Sequence, residues 1–247
     1  MPPGWCGPLT TWTPPELESN ARRYRRTLWR VVEAQHTAST LRLTAGLAEQ
    51  AQLESILEAS KPPLPPGLDH LHYLLATPFR YRPPLGSRFR GPFDAGVWYG
   101  AEALRTALAE KSYWQLKFLI DSPATPDLKP VPHTALTAAV RGSAIDLTAR
   151  PLSRDRGEWT ARSDYAPAQA LARTARVVRI EIIRYESVRD PEHAACAAVL
   201  SPAAFASPAP LAQETWFIAA GRVRVSCVRD VPGGPAFEFG AGQLIEG

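Results

Sequence analysis

The apolar and polar positions along the chain follow two periods, which predict a mixture of helices and strands. Apolar residues recur at three- and four-residue spacing over residues 44–60 and 102–120, which predicts two amphipathic helices. A shorter helix is predicted over residues 167–175, with Pro167 in its first turn. Runs rich in β-branched, aromatic or other apolar residues predict strands over residues 27–33, 96–100, 136–140, 177–185, 195–200, 215–219 and 223–228.

This order of elements indicates an α+β fold: a single mixed domain around a twisted, largely antiparallel sheet. The proline run at residues 61–67 ends the first long helix, because proline lacks the amide donor that a helix needs. We interpret the run as a rigid loop inside the domain, since neither flank is long enough for a good core of its own. Residues 1–26 are expected to be an irregular, basic extension, and residues 27–247 the domain itself.

The composition is that of an ordinary globular protein with one unusual feature. The chain has 247 residues, of which 45% are hydrophobic and 21% charged. Its 25 prolines are about twice the usual share, which disfavours long uninterrupted helices. The net charge of +4 suits an anionic ligand but is too small and too dispersed to indicate a nucleic-acid-binding protein.

The cysteines and the amino-terminal sequence point to the cytoplasm. Three cysteines lie far apart at positions 6, 196 and 227, and no Cys-x-x-Cys pair occurs. An odd number of widely spaced cysteines favours reduced thiols over a disulfide scaffold. The first residues do not combine a basic start with an apolar core, so no signal peptide is expected. No stretch reaches the length of a membrane span.

The segment from Gly86 to Glu110 contains the clearest candidates for chemistry. Arg88 follows a Gly-Ser turn, and a guanidinium offers a planar fork for phosphate. Tyr99 ends a predicted strand, where its ring could pack against a flat heterocycle. Glu110 shares a helix face with apolar residues, and a carboxylate there costs free energy unless it is paired or used. The alternative is a partly exposed glutamate bonded to a core arginine.

A second candidate lies where the predicted strand 177–185 ends. Ser187 and Arg189 follow it at a position suited to face a cleft. The alternative is an ordinary exit from a strand into a turn, with Asp190-Pro191 as the turn signal.

Taken in order, these pieces resemble the RES-domain family of bacterial toxins from toxin–antitoxin pairs. Arg88, Tyr99 and Glu110 stand eleven residues apart, like the family's spacing. The resemblance covers residues 27–230. Its matching pieces are Trp29-Arg30-Val31-Val32, Gly86-Ser87-Arg88-Phe89, Trp98-Tyr99-Gly100-Ala101, Ala107-Leu108-Ala109-Glu110, Asp164-Tyr165 with Gln169, and Tyr185-Glu186-Ser187-Val188-Arg189.

The resemblance implies a fold similar to ADP-ribosyltransferase toxins and an activity on NAD. Carried over by position, it implies catalytic roles for Glu110, Arg88 and Tyr99. NAD binding would involve Arg30, Arg88, Tyr99 and Ser187, with Ser187 helping to position the nicotinamide ribose.

Two departures from the family pattern leave one assignment open. Arg90 stands where the family commonly has asparagine, which puts a direct ribose contact there in doubt. The gap between Arg30 and Arg88 is longer than in compact members, so Arg80 or Arg82 could take the place of Arg30 as the second phosphate-binding arginine.

The implied reaction breaks the nicotinamide–ribose bond through a state resembling an oxocarbenium ion, as glycoside cleavage does. Water, inorganic phosphate or a protein side chain could accept the ADP-ribose. The start at residues 30–36 and the long amino-terminal extension look like members that modify a protein, which slightly favours a protein acceptor. The alternative from another class is a binding module that keeps the fold but has lost catalysis.

The resemblance also implies a partner, a cognate antitoxin of the Xre type that covers the active site. No metal is expected, since His70 and His72 lack a third ligand at a suitable spacing. The arginine cluster at residues 22–26 is too small a footprint to predict direct nucleic-acid contact, and we interpret it as a solvated or partner-contacting face.

Overall fold

The computed structural model of the protein describes residues 12–34 and 44–245, so Cys6 and His36 lie outside the described residues. It confirms the α+β class with seven α-helices and eight strands among those residues. The helices are α1 (Pro14–Asn20), α2 (Leu47–Ser60), α3 (Tyr73–Arg80), α4 (Leu104–Asp121), α5 (Arg156–Trp159), α6 (Ala166–Val177) and α7 (Ala241–Ile245). The strands are β1 (Arg22–Glu33), β2 (Trp98–Ala101), β3 (Leu128–Asp146), β4 (Ile182–Glu186), β5 (Ala195–Val199), β6 (Ala212–Ala220), β7 (Arg224–Arg229) and β8 (Ala236–Gly240).

The eight strands form one sheet in which only β3 and β4 pair in parallel, so the expectation of a largely antiparallel sheet is confirmed. The long strand β3 pairs with β1 on one edge and with β6 and β4 on the other. Because β1 also pairs with β2, and β2 continues through β5 to β4, five strands close into a ring. The antiparallel strands β6, β7 and β8 extend the sheet beyond this ring.

Apolar side chains cover the sheet in three clusters. One cluster packs α1 and α6 against β4 and β5, for example Leu17 and Leu171 with Ile183. A second packs α3 against the ring through Leu75, Trp98 and other residues. In a third cluster α4 and α7 pack against β6, β7 and β8. Helix α4 therefore touches both the ring and the sheet extension, which fixes the position of its cavity-facing side.

The amino-terminal part differs from the prediction of an irregular extension. Helix α1 begins after Thr13, whose backbone N–H donates to the Glu16 carboxylate, and prolines occupy its first turn. Strand β1 begins at Arg22, five residues earlier than expected. Tyr24 and Leu28 are buried while the arginines between them are exposed. The sequence pattern did not predict a strand here because arginines, which are not typical strand residues, occupy most of the positions.

Two further segments differ from the prediction. Helix α6 extends to Val177, and Arg179 then adopts a positive φ of 55°, so β4 begins only at Ile182 and not at residue 177. A His-x-His pair would put two imidazoles on one face of a strand, but His70 and His72 lie in the turn before α3. The His72 ring instead caps α3 by accepting a hydrogen bond of 3.3 Å from the Leu74 N–H.

Candidate active site

A cavity of ≈ 350 Å³ opens where β1, β2 and α4 meet. Its volume lies within the usual range of small-molecule sites. Four of the five predicted site residues line it: Arg30, Arg88, Tyr99 and Glu110. The other lining residues are Trp29, Val31, Gly86, Ser87, Gly100, Ala101, Ala107, Lys111, Trp114, Tyr165, Tyr185, Val188, Arg189 and Cys196.

Glu110 projects from α4 and is the one carboxylate on the cavity wall among the described residues. Burial raises the pKa of its carboxyl, and the nearby Asp190 charge acts in the same direction. The Ser187 hydrogen bond and the Arg189 and Arg88 charges oppose this rise. Glu110 makes no ion pair with a core arginine in the described part of the chain, so the alternative of a structural glutamate paired in that way does not describe it.

Ser187 lies behind Glu110 and does not line the cavity. Its side chain is fully buried, and its hydroxyl donates to Glu110 Oε1 at 2.6 Å. Ser187 Oγ also accepts hydrogen bonds from the backbone N–H groups of Arg189 and Asp190 at 3.2 and 3.0 Å. Ser187 is therefore placed to orient Glu110, and the predicted contact with the nicotinamide ribose is not favoured by this position.

Arg88 is held rigidly at the cavity edge. Its Nη1 donates to the carbonyl oxygens of Trp159 and Ala161 at 2.6 and 2.8 Å. Its guanidinium also lies 4.8 Å from the centre of the Tyr165 ring. The remaining N–H groups make no hydrogen bond to the described residues, which leaves part of the fork free to donate.

Tyr99 combines a ring on the cavity wall with a hydroxyl that holds the neighbouring turn. The hydroxyl forms a 2.8 Å hydrogen bond with Ser87 Oγ and accepts the Phe89 N–H at 3.0 Å. Burial raises its pKa, so the hydroxyl stays protonated at neutral pH. Gln169 supports the same turn by donating to the Ser87 carbonyl. These bonds fix the backbone on both sides of Arg88.

Arg30 is a half-buried cation without a carboxylate partner among the described residues. One Nη1 bond of 3.0 Å reaches the Tyr99 carbonyl, and the guanidinium lies 5.4 Å from the centre of the Trp98 ring system. The buried Nε has no hydrogen-bond partner. Burial lowers the pKa of Arg30 to about 10. A cation that is partly removed from water without an anionic partner lowers the stability of the fold, so an anion bound in the cavity would stabilise the protein.

The other arginines considered for phosphate binding lie elsewhere. Arg80 pairs with Glu58 at 3.0 Å, and Arg82 faces a separate groove. Arg90 donates to the carbonyls of Pro83, Leu85 and Gly91, and so holds its own loop. The candidates for the second phosphate-binding arginine were Arg30, Arg80 and Arg82. Of these, Arg30 is the one that lines the same cavity as Arg88.

Sequence reasoning missed Lys111 as a cavity residue. Burial lowers the pKa of Lys111, and the neighbouring Arg30 charge acts in the same direction. It lies four residues after Ala107 and three before Trp114, which also line the cavity, so the 3–4 spacing of α4 places it on the same wall. Arg189, noted as cleft-facing, lies 3.7 Å from the centre of the Tyr113 ring and donates to the Arg162 carbonyl. Four cationic residues and one carboxylate therefore line the cavity, which favours an anionic ligand.

The rim of the cavity is apolar and exposed. Trp114 lies one turn beyond Glu110 on α4, lines the cavity and is 56% exposed. Phe118 continues the same helix face one turn further and is 50% exposed. We call these two residues the aromatic rim. Adjacent exposed aromatic side chains of this size are typical of a surface that another molecule covers.

The described residues contain neither a candidate metal centre nor a membrane-spanning helix. No group of three or more histidine, cysteine, aspartate or glutamate residues there could hold a metal ion. None of the helices in residues 12–34 and 44–245 is long and apolar enough to cross a membrane.

Comparison with known proteins gives a match to a family model and matches to solved structures. The family model described as RES domain matches residues 64–219. Among solved structures, the M. tuberculosis MbcT–MbcA toxin–antitoxin complex has a chain that is 12% identical in sequence, with a TM-score of 0.47 and 94% of each chain covered. No curated protein matches the chain.

Proposed function

The chain belongs to the RES-domain family, and from this membership and the cavity we propose that it is the toxin of a toxin–antitoxin pair. In this proposal it cleaves the nicotinamide–ribose bond of NAD and transfers the ADP-ribose to an acceptor. The observation that carries the proposal is that the desolvated carboxyl of Glu110 and the unpaired guanidinium of Arg30 face one cavity. The substrate needs both groups, since it combines a ribose that becomes cationic with an anionic pyrophosphate.

Glu110 would stabilise the positive charge that develops on the ribose as nicotinamide leaves. A carboxylate in a water-poor site interacts with such a charge far more strongly than it would in water. Nicotinamide leaves as a neutral group and needs no proton, so the site requires no general acid. The hydrogen bond from Ser187 would hold the Glu110 carboxylate in one orientation, which avoids reorganisation during the reaction.

Arg30 and Arg88 would bind the pyrophosphate. The free edge of the Arg88 fork and the Nη groups of Arg30 can donate charge-assisted hydrogen bonds to phosphate oxygens. Lys111 adds a third cation on the same wall. The rings of Tyr99 and Tyr165 provide flat surfaces beside these cations, and the Tyr99 ring would pack on the nicotinamide side.

We favour a protein side chain as the acceptor of the ADP-ribose, with inorganic phosphate and water as the other two possibilities. The exposed aromatic rim supports this choice, because a protein acceptor must dock beside the cavity while water and phosphate need no docking surface. The same rim suits an antitoxin of the Xre type that covers the cavity and competes with NAD. We place the toxin and its antitoxin in the cytoplasm.

The test is an assay of nicotinamide release from NAD by the purified protein. The reaction is run in buffer alone, with inorganic phosphate, and with cell lysate plus NAD that carries a label on its adenylate half. Label transferred to a protein band identifies a protein acceptor. Nicotinamide release in buffer alone identifies water, and release that requires inorganic phosphate identifies phosphate. Absence of nicotinamide release in all three arms would overturn the enzymatic proposal and leave the non-catalytic binding module.

A further inference from the structure

A second groove lies on β1, on the part of the strand that precedes the cavity. It has a volume of ≈ 410 Å³ and lies between the first half of β1, the end of β3 and the segment at residues 149–152. Arginine dominates its lining, with Arg22, Arg23, Arg25, Arg26, Arg150 and Arg184. We call it the arginine groove. The amino-terminal half of β1 faces this groove, while Trp29, Arg30 and Val31 of the same strand line the cavity.

Most arginines of the groove lack the ion pairs that other exposed arginines form. Arg156, Arg173 and Arg229 each pair with a nearby carboxylate. By contrast, no carboxylate of the described residues pairs with any of the following exposed residues: Arg22, Arg23, Arg25, Arg26, Arg141 and Arg150. The carboxylates nearest the groove are already engaged, because Arg184 binds both Glu102 and Asp146. The groove therefore carries a concentrated positive charge that Asp146 and Glu102 balance only in part.

The strand register places Arg25 of the groove beside Arg141, an exposed arginine that lies next to the groove without lining it. Arg25 of β1 pairs directly with Arg141 of β3, and both side chains are exposed on one face. Like charges directly opposite each other destabilise an antiparallel pair. Arg23 lies two residues from Arg25 and extends the same face, at a spacing of about 6.8 Å. An anionic partner would turn this repulsion into attraction.

The backbone of β1 is also open beside these arginines. One edge of β1 pairs with β3 along all twelve residues from Arg22 to Glu33. On the other edge Trp29 pairs with Ala101, and no other residue of β1 pairs with a strand among the described residues. The segment from Arg22 to Leu28 thus has no second strand beside it, and within it the Arg25 carbonyl accepts a 3.0 Å hydrogen bond from Arg26 Nη1. Proteins otherwise cover such a strand edge or blunt it with charge.

We propose that the arginine groove binds an acidic, extended polypeptide segment of a partner protein, which adds as a strand beside the first half of β1. Alternate residues of such a segment have the same spacing as Arg23 and Arg25, so carboxylates at every second position can meet the arginines. A polypeptide fits better than a nucleic acid for two reasons. Only a polypeptide can pair with the open strand edge, and the ring of Tyr24 is buried and bonded to Glu102, so it offers no stacking surface for bases.

The experiment measures binding of a labelled peptide of alternating glutamate and threonine by fluorescence anisotropy, near physiological ionic strength. The test variant is Arg23→Glu/Arg25→Glu. The matched control is Lys129→Glu/Arg179→Glu, which makes the same charge change at exposed positions away from the groove. We expect binding to weaken on the order of tenfold or more in the test variant and to change little in the control.

Two comparison ligands separate strand addition from other modes of binding. The first is the same peptide with alternate backbone amides methylated, which keeps its charge but cannot pair along β1, and we expect it to bind much more weakly. The second is a single-stranded oligonucleotide of equal charge. Tighter binding of the oligonucleotide than of the peptide would overturn the proposal in favour of a nucleic-acid surface. If the wild-type protein does not bind the peptide, although circular dichroism shows that it and both variants are folded, the proposal is wrong. The arginines would then only prevent pairing of other strands with this edge. None of these outcomes depends on turnover of NAD.

Discussion

The Ser187 hydroxyl donates a 2.6 Å hydrogen bond to Glu110 while its oxygen accepts two backbone N–H groups, from Arg189 and Asp190. The serine is therefore fixed by the turn after β4, and it fixes a carboxylate on α4, which lies far away in sequence. This bond connects a backbone turn to the charged centre of the proposed active site. Glu110, Ser187 and the arginines around them can be tested separately because each has a different set of partners.

Glu110→Gln should abolish nicotinamide release without harming the fold. Loss of the carboxylate charge is expected to lower the rate on the order of 10²–10³-fold. Burial raises the pKa of Glu110 in the folded protein, so the folded state binds its proton more tightly than the unfolded state does. The ionised carboxylate therefore costs stability above the folded-state pKa. The variant should melt at an equal or higher temperature than wild type at pH 7, and this gain should vanish below about pH 4. Normal turnover with a lowered melting temperature would make Glu110 a structural residue.

Ser187→Ala should change the pH dependence of the reaction. The Ser187 hydrogen bond lowers the pKa of Glu110, so its removal raises that pKa further. The acid limb of the rate profile should move to higher pH, with kcat affected more than KM. Two buried N–H groups lose their acceptor, at a cost of about 1–3 kcal/mol in the free energy of unfolding. Ser112→Ala is the control, since Ser112 is equally buried and bonds only Cys227 among the described residues. An acid limb that shifts equally in both variants would rule out the positioning role.

Arg30→Gln should weaken the binding of anionic ligands. The change removes a half-buried charge that has no carboxylate partner among the described residues, so the ligand-free protein should become more stable while KM for NAD rises. ADP-ribose should raise the melting temperature of wild type but much less that of the variant. Arg80→Gln is the comparison, because Arg80 pairs with Glu58 outside the cavity. If KM rises for Arg80→Gln and not for Arg30→Gln, the phosphates are bound elsewhere.

Arg88→Lys should not behave as a conservative change. One nitrogen of Arg88 bridges two carbonyl oxygens while the rest of the guanidinium faces the cavity, and a single ammonium cannot do both. We expect a raised KM together with a lower melting temperature. The check is steady-state kinetics at several NAD concentrations beside thermal melting. Kinetics equal to wild type would exclude Arg88 from phosphate binding.

Removal of the aromatic rim should separate antitoxin binding from NAD cleavage. Trp114→Ala/Phe118→Ala removes two exposed rings beside the cavity. Co-expression with the antitoxin encoded beside the toxin gene should then give less complex and weaker protection of growth. The control variant is Leu211→Ala/Val223→Ala, which removes exposed apolar side chains on other elements. Equal amounts of complex from both variants would place the antitoxin away from the cavity mouth.

The segment from β2 to α4 could be predicted from the sequence because its signals are local. The apolar run ending at Tyr99 and the 3–4 spacing around Glu110 specify a strand and a helix in direct succession, and the cavity forms between them. The partners of Arg88 could not be predicted in this way. Its carbonyl acceptors lie more than seventy residues away in sequence, and only the packed fold brings them together.

The beginning of β1 shows a second limit of the sequence pattern. A strand is recognised by its apolar side, but at residues 22–26 only Tyr24 faces the core and arginines occupy the other positions. Partner strand β3 supplies the ladder of hydrogen bonds that makes this arginine-rich segment extended. The structure of such a segment depends on the strand that pairs with it, and the local sequence pattern gives no information about that partner.

The shared strand β1 also constrains how this protein can vary over generations. Side chains alternate along a strand, so one residue inserted between Arg25 and Arg30 would turn everything on one side of it to the opposite face. Such an insertion would misplace either the groove arginines or Arg30. Substitutions carry no such penalty. The partner of the groove can therefore drift by changes at Arg23 or Arg25, while the length of the strand that joins them to the cavity stays fixed.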